Sequence, residues 1–363
     1  MSSSSPNEPE PEYSGERGLF FFRPLLIIRK RAPDGKEEAP PSSHEKEEGC
    51  QMMKMYLSDA SGKMREIDRI ENGCWINLVA PTEDEIRYIA HHLDIPIDSI
   101  KDALDDEERS RVEKEDNHVL IIVDIPIVAH DEVDGPIYET IPIGMIITNT
   151  CFITVCLQEN PIFEEFSKNK IKNFYTFMKT RFALQMLYMI STYYLRYLKQ
   201  INRRTSEIEK ELHQSMKNKE LFSLLSMEKS LVYFMTSLKA NNIVMERLMR
   251  LNYLRMYEDD QDLLQDVIIE NKQAIEMAEV YSSILSGMMD AFASVISNNL
   301  NIVMKFLTAI TIVISLPTMV ASFYGMNVPI PYQHSPYAFL IAMALAGSLS
   351  AATAYIFWKK RYF

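Results

Sequence analysis

Past residue 300 the chain has no acidic side chain, and its only charged residues there are Lys305, Lys359, Lys360 and Arg361. The first 300 residues, by contrast, carry 34 basic and 50 acidic groups. An acidic body joined to an apolar, weakly basic end repels polyanions and attracts cations, which argues against a nucleic-acid partner. Catalytic signatures are missing as well. There is no P-loop, HExxH, nucleophile elbow or dinucleotide fingerprint, which argues against an enzyme and against ATP-driven pumping by this chain alone. Cysteine is scarce, four in 363 residues (Cys50, Cys74, Cys151 and Cys156), so nothing demands a disulfide framework. Cys151 and Cys156 lie in an apolar, β-branched run. Buried thiols are the favoured reading there, and half of a metal site the alternative. Residues 1–16 lack the basic and apolar regions of a secretory signal, so the body is expected to stay on the side where the chain is made.

Residues 1–16 and 33–49 are rich in Ser, Pro and Glu and cannot bury enough apolar surface to offset ordering. We therefore expect 1–49 to be a flexible segment. The GLFFFRPLLIIRKR stretch inside it is too short to cross a bilayer. It reads as an edge strand, with a segment lying on the membrane surface as the alternative. Residues 50–160 read as an α/β domain. CWINLV (74–79) predicts a short strand, and PTEDEIRYIAHHLDIP predicts a helix opened by a Thr82/Glu85 capping box. Ile86, Ile89 and Leu93 give that helix one apolar face. His91 and His92, being adjacent, read as surface histidines rather than a metal pair. A short helix fits 97–105. Paired strands fit 118–128 and 138–157, with a turn near Asp134-Gly135-Pro136.

Proline is absent between Pro161 and Pro317, and strand signals stop over the same interval. Residues 161–258 predict an antiparallel helical pair, about 163–215 and 218–250. A third helix, 259–324, meets no strong breaker before Pro317 and would be about 100 Å long, far more than a globular core needs. It reads as a stalk entering a membrane. Phe306–Met326 (21 residues) and Tyr337–Trp358 (22 residues) contain no charge, and each as a helix spans about 30 Å, the hydrocarbon thickness. Trp358 followed by Lys359, Lys360 and Arg361 is an aromatic anchor with a basic cluster, which the positive-inside rule places in the cytoplasm. The body and both termini then lie in the cytoplasm, 325–336 forms a short outside loop, and 359–363 is a basic tail. Two buried helices of a soluble core are the weaker alternative.

A chain with two spans encloses no channel alone, so conduction requires several copies around an axis. Asn301, Thr308, Ser315 and Ser322 recur every seven residues, as do Met304, Thr311, Thr318 and Gly325 three residues later. This 3-4 seam is almost entirely polar or small, on a helix otherwise made of Ile, Val, Leu, Ala and Phe. It predicts a face lining a wet axis, with dry packing through small residues and self-bonded hydroxyls as the competing reading. The seam carries no carboxylate, which suits an ion that keeps its hydration shell, as Mg²⁺ tends to do. Pro317 frees a backbone carbonyl and predicts a kink. Acidic clusters sit in the body instead: DALDDEE at 102–108, and Asp262, Asp266 and Glu270 on one face of the stalk. If these meet between subunits, their repulsion calls for a bridging divalent cation; otherwise they are solvated faces.

Tyr324-Gly325-Met326-Asn327, directly after a first span and before a second C-terminal one, resembles the CorA family of magnesium channels. NIVMKFLTAIT at 301–311 is similar to that family's pore entrance, and CWIN at 74–77 to its N-terminal domain. The likeness covers roughly residues 65–363. It implies an α+β cytoplasmic domain, a long stalk helix and two C-terminal transmembrane helices, assembled as a funnel-shaped homopentamer in the inner or plasma membrane. It implies a selectivity filter at Gly325, Met326 and Asn327, and a pore lined from Asn301, Met304 and Leu307 through Thr308, Thr311, Ser315, Thr318 and Ser322. Regulatory Mg²⁺ would bind between subunits at Asp102 and Asp266, with Asp290 a further acidic position on the stalk. Three departures stand out: no acidic residue in 325–363, Lys101 before Asp102, and Ser315 where a bulky Met narrows the pore. A related branch moves Zn²⁺, and His334 keeps Zn²⁺, Co²⁺ or Ni²⁺ transport, with proton coupling, as the alternative to Mg²⁺.

Overall fold

The computed structural model describes residues 53–131, 135–214, 218–327, 329 and 336–360. The expectations for residues 1–49, His334 and the 361–363 end of the basic tail lie outside these.

Among the described residues, seven strands form one sheet: β1 Met53–Ser58, β2 Met64–Glu66, β3 Trp75–Val79, β4 Arg111–Lys114, β5 His118–Asp131, β6 Gly135–Thr148 and β7 Phe152–Cys156. Their spatial order is β2-β1-β3-β7-β6-β5-β4, with β3 and β7 parallel and the other pairs antiparallel. The strands are apolar on both faces because helices cover both. Ile121 and Ile122 are each fully buried and point to opposite sides, as the two-residue period of a strand requires.

One face carries α1 (Glu83–Leu93), α2 (Ile97–Lys101) and a 3-10 turn, Asp102–Leu104. The capping box of α1 forms as expected: the Thr82 hydroxyl accepts from the Glu85 N–H, and the Glu85 carboxylate accepts from the Thr82 N–H at 2.8 Å. Gly144 decides where the 3-10 turn lands. A Cβ on Gly144 would stand 2.5 Å from the Cβ of Ala103, so only glycine lets the turn press onto β6. Asp102 is thereby fixed at the rim of the sheet.

The other face carries α3 (Pro161–Ser167), α4 (Lys179–Gln214) and α5 (Asn218–Leu251). Trp75, fully buried, anchors this layer through Phe182, with ring centroids 5.2 Å apart, and its indole N–H donates to Thr154 at 2.9 Å. Asn241 of α5 docks on a strand as a second backbone would. Its side-chain oxygen accepts from the Asp124 N–H at 2.9 Å, and its amide donates to the Asp124 carbonyl at 2.8 Å.

The first long helix differs from the expectation of 163–215. Asn169 and Asn173 adopt left-handed backbone (φ 53° and 55°), so the chain breaks after α3 and restarts at Lys179. The expected strand 138–157 is two strands, split at Asn149-Thr150, where the Thr148 hydroxyl accepts from both the Thr150 and Cys151 N–H groups. The helix read over 97–105 is α2 plus the 3-10 turn.

Helix α6 runs unbroken from Glu258 to Tyr324, 67 residues. Its first half packs on α4 and α5 through Leu264, Val267, Asn271, Ala274, Ala278, Leu285 and Phe292, all buried. Beyond Phe292 only Ala309 and Val320 of α6 are buried. There α7 (Ala338–Lys359) lies against it.

Candidate functional site

The far half of α6 and all of α7 are long and apolar enough to cross a membrane. Their large side chains point outward: Phe339 is 75 % exposed, and of the α7 residues only Ala346 is buried. A soluble core helix would show the reverse pattern.

The side of α6 that meets α7 is set by Ala309 and Val320, with Val313 and Leu316 half-buried between them. These positions recur every three to four residues, so they form one stripe. At about 100° per residue, the stripe of Met304, Thr311, Ser315, Thr318 and Ser322 falls on the opposite side of the helix. Asn301, Met304, Leu307, Thr308, Thr311, Ser315, Thr318 and Ser322 are all exposed. Packing α7 thus leaves the polar stripe free.

The hydroxyls of this stripe are bonded in a consistent way. Thr311 donates to the Leu307 carbonyl (2.8 Å), Ser315 to Ile312 (2.9 Å), Thr318 to Ile314 (3.4 Å) and Ser322 to Thr318 (2.9 Å). Self-bonding was the basis of the dry-packing alternative, yet it also has a chemical consequence. With its proton committed to the backbone, each hydroxyl presents only lone pairs outward. The row becomes a ladder of acceptors.

Helix α6 stops at Gly325, whose N–H donates to the Ala321 carbonyl at 3.0 Å, while the Met326 N–H donates to Phe323 at 3.2 Å. Gly325, Met326 and Asn327 follow as an exposed turn at this end of the stripe. About two turns of helix below, Pro317 has no N–H to give the Val313 carbonyl. The hydroxyl of Ser350 on α7 donates to that carbonyl at 3.4 Å. Sequence reading had marked the orphaned carbonyl but not its donor, because the partner is contributed by another helix.

The acidic positions of the body have different surroundings. Asp102 is ion-paired within its own chain: Arg111 reaches it at 2.5 Å and also holds Glu108 and Glu113, the latter at 2.9 Å. Burial acts to lower the Arg111 pKa, but the carboxylates of Glu113, Glu108 and Asp102 outweigh it and hold the guanidinium above its usual value. Lys101 does not compete for Asp102; its ammonium sits 2.7 Å from Glu83, and that hydrogen bond lowers the Glu83 pKa. Asp262, Asp266 and Asp290 are exposed on α6. Among the described residues of one chain, no group of three or more His, Cys, Asp or Glu is placed to hold a metal ion. A divalent ion at Asp102 or Asp266 therefore needs ligands from a neighbouring subunit or from water. Arg111 was missed from sequence because nothing local marks which of several carboxylates around 102–116 a strand arginine will choose.

The model for the CorA-like Mg²⁺ transporter protein family matches residues 71–361. The chain belongs to this family. Among curated CorA relatives, the cobalt/magnesium transport protein CorA of Methanocaldococcus jannaschii is 26 % identical over 293 residues, covering 78 % of this chain and 89 % of that protein. The protein of the same name from Thermotoga maritima is 21 % identical over 295 residues, covering 79 % and 83 %. The complete structure of the CorA magnesium transporter from Methanocaldococcus jannaschii superposes with a TM-score of 0.75 at 24 % identity, over 86 % of this chain and 99 % of that one. The CorA fold, an α+β domain followed by a long helix and a C-terminal apolar helix, is the fold observed here.

Proposed function

We propose that this CorA-family chain forms a homopentameric, funnel-shaped channel that passes hydrated Mg²⁺ across the inner or plasma membrane, with both termini in the cytoplasm. The reading rests on one observation above all: the hydroxyl row and the α7 contact occupy opposite sides of α6. Copies arranged around an axis can turn the hydroxyl row inward while α7 faces lipid.

The chemistry follows from the acceptor ladder. Mg²⁺ holds its waters tightly in octahedral geometry and gives them up reluctantly. Those waters point their hydrogens outward and seek acceptors. Hydroxyls bonded to their own backbone supply acceptors without stripping the shell. Five Asn327 amides at the outer end supply further acceptors, and the filter Gly325-Met326-Asn327 selects by the size of the hydrated ion. Met304 and Leu307, both more than half exposed in one chain, would meet their symmetry mates as a narrow apolar ring at the cytoplasmic end. Co²⁺ forms a similar hydrated complex and is expected to pass; Ni²⁺ and Zn²⁺ are the competing cargoes. Cytoplasmic Mg²⁺ bound between subunits at Asp102 and Asp266, with Asp290 lower on the stalk, would hold the pore closed by cancelling the repulsion of facing carboxylates.

The test is ion flux into liposomes under an imposed membrane potential, read with a Mg²⁺ dye. The wild-type chain should take up Mg²⁺, and Asn327→Ala should abolish the uptake or its preference over competing ions. Unchanged uptake and preference in Asn327→Ala would remove the filter from the account.

A further inference from the structure

Two thiols lie in contact inside the cytoplasmic domain. Cys74 precedes β3 and Cys151 precedes β7, one residue before the first pair of the parallel ladder, Trp75 with Phe152. The Phe152 N–H donates to the Cys74 carbonyl at 3.0 Å, which locks the two backbones side by side. Parallel neighbours stand about 4.8 Å apart, inside the Cα range of about 4.4–6.8 Å that a disulfide spans. The sulfurs are 3.2 Å apart, and both residues are fully buried. Closure to a bond of about 2.05 Å needs each sulfur to move only about half an ångström. A surface cavity of about 320 Å³ is walled by Glu71, Asn72, Thr148, Asn149 and Thr150, the segments leading into the two cysteines. Neither sulfur lines it, so a small oxidant must pass from it through these segments.

We propose that Cys74 and Cys151 are a redox-modification site, closing to an intrachain disulfide when hydrogen peroxide reaches the domain. Cys151 is the attacking sulfur. The Cys74 thiol hydrogen bond lowers its pKa to about 7 against the effect of burial, with Thr150 and the Lys179 ammonium helping, while Cys74 is shifted upward. The Cys151 thiolate displaces hydroxide from the peroxide, giving a sulfenic acid and, after protonation, water. The Cys74 sulfur then attacks the Cys151 sulfur; the S–S bond forms, the second oxygen leaves as hydroxide, and the Cys74 proton turns it into water. In sum, two thiols lose two electrons and two protons, and one peroxide becomes two waters.

Cys156 is the internal control, being equally buried but, among the described residues, without a thiol partner, and raised by burial to about 11. The full chain carrying Cys50→Ser, in detergent, is treated with hydrogen peroxide, unfolded in an alkylating agent and mapped by mass spectrometry. The expected product is a Cys74–Cys151 cross-linked peptide two hydrogens lighter, with Cys156 alkylated. Loss of the Cys151 thiol should speed up as pH rises from 6 to 8, following its thiolate fraction. Cys74→Ser should convert the cross-link into a sulfenic acid at Cys151 that a dimedone probe captures. Should that variant fail to fold, the map of the Cys50→Ser chain decides alone. Free thiols at both positions after treatment, or pairing that involves Cys156, would overturn the proposal.

Discussion

Replacing Arg111 with Met isolates the counter-ion that the fold gives Asp102. The Met side chain keeps most of the apolar stem and removes the guanidinium, leaving Asp102, Glu108 and Glu113 without their shared partner. Two unit charges 4 Å apart interact by about 1 kcal/mol in water and about 4 kcal/mol at an effective dielectric of 20. The Asp102 and Arg111 side chains are 35 % and 23 % exposed, and salt screens them, so the lower part of that range applies. We expect a divalent ion at Asp102 to gain about 1–2 kcal/mol, which is a five- to thirtyfold tighter midpoint. The assay is limited proteolysis of the full protein across a Mg²⁺ titration, with fragment protection as readout. Arg111→Met should shift protection to lower Mg²⁺, and the shift should vanish when Asp102→Asn is added. An unchanged or higher midpoint, or the same shift without the Asp102 carboxylate, would refute a competition between guanidinium and metal.

Three further outcomes can be stated. Burial raises the Asp124 pKa despite the hydroxyls of Ser237 and Ser110. The folded chain therefore holds that proton more tightly than the unfolded one, and stability is lost as pH rises from the ordinary carboxylate range through the raised folded value. Asp124→Asn should accordingly raise the thermal midpoint at pH 7.5, with a gain that shrinks toward acid pH; a gain independent of pH contradicts the burial argument. Ser350→Ala should weaken the α6–α7 pair by about 0.6–1.7 kcal/mol, the range of interhelical hydrogen bonds in membranes, measured by unfolding in detergent. In a Pro317→Ala background residue 317 regains its N–H for the Val313 carbonyl, so the same Ser350→Ala change should then cost almost nothing, and an undiminished cost would separate Ser350 from the proline.

What could be read from sequence was what local chemistry dictates. The Thr82/Glu85 box, the stalk and the two charge-free spans each follow from a pattern contained within one element, and each appears at or within a few residues of its expected place. Features that depend on distant residues were less legible. β1 and β2 went unread because MKMYLS and MRE are short and gain their strand character from pairing with each other and with β3. The split between β6 and β7 has neither Gly nor Pro at its turn, being built on the Thr148 hydroxyl. The break before α4 relies on two asparagines in left-handed backbone. At the candidate site, the seven-residue spacing identified the seam, while Arg111 and Ser350 became visible only once strands and helices were placed.

The central claim is that cations travel along the hydroxyl side of α6 and not along its α7 side. Single cysteines introduced at Thr311, Ser315 and Thr318, and at Val313 and Leu316 on the α7 side, can be challenged with a water-soluble, positively charged thiol reagent while Mg²⁺ flux into liposomes is followed. The account predicts that the first three react, that their modification blocks flux, and that Mg²⁺ slows the reaction, while the α7-side pair stays unreactive. Equal reactivity on both sides, or modification of the seam that leaves flux intact, would contradict it.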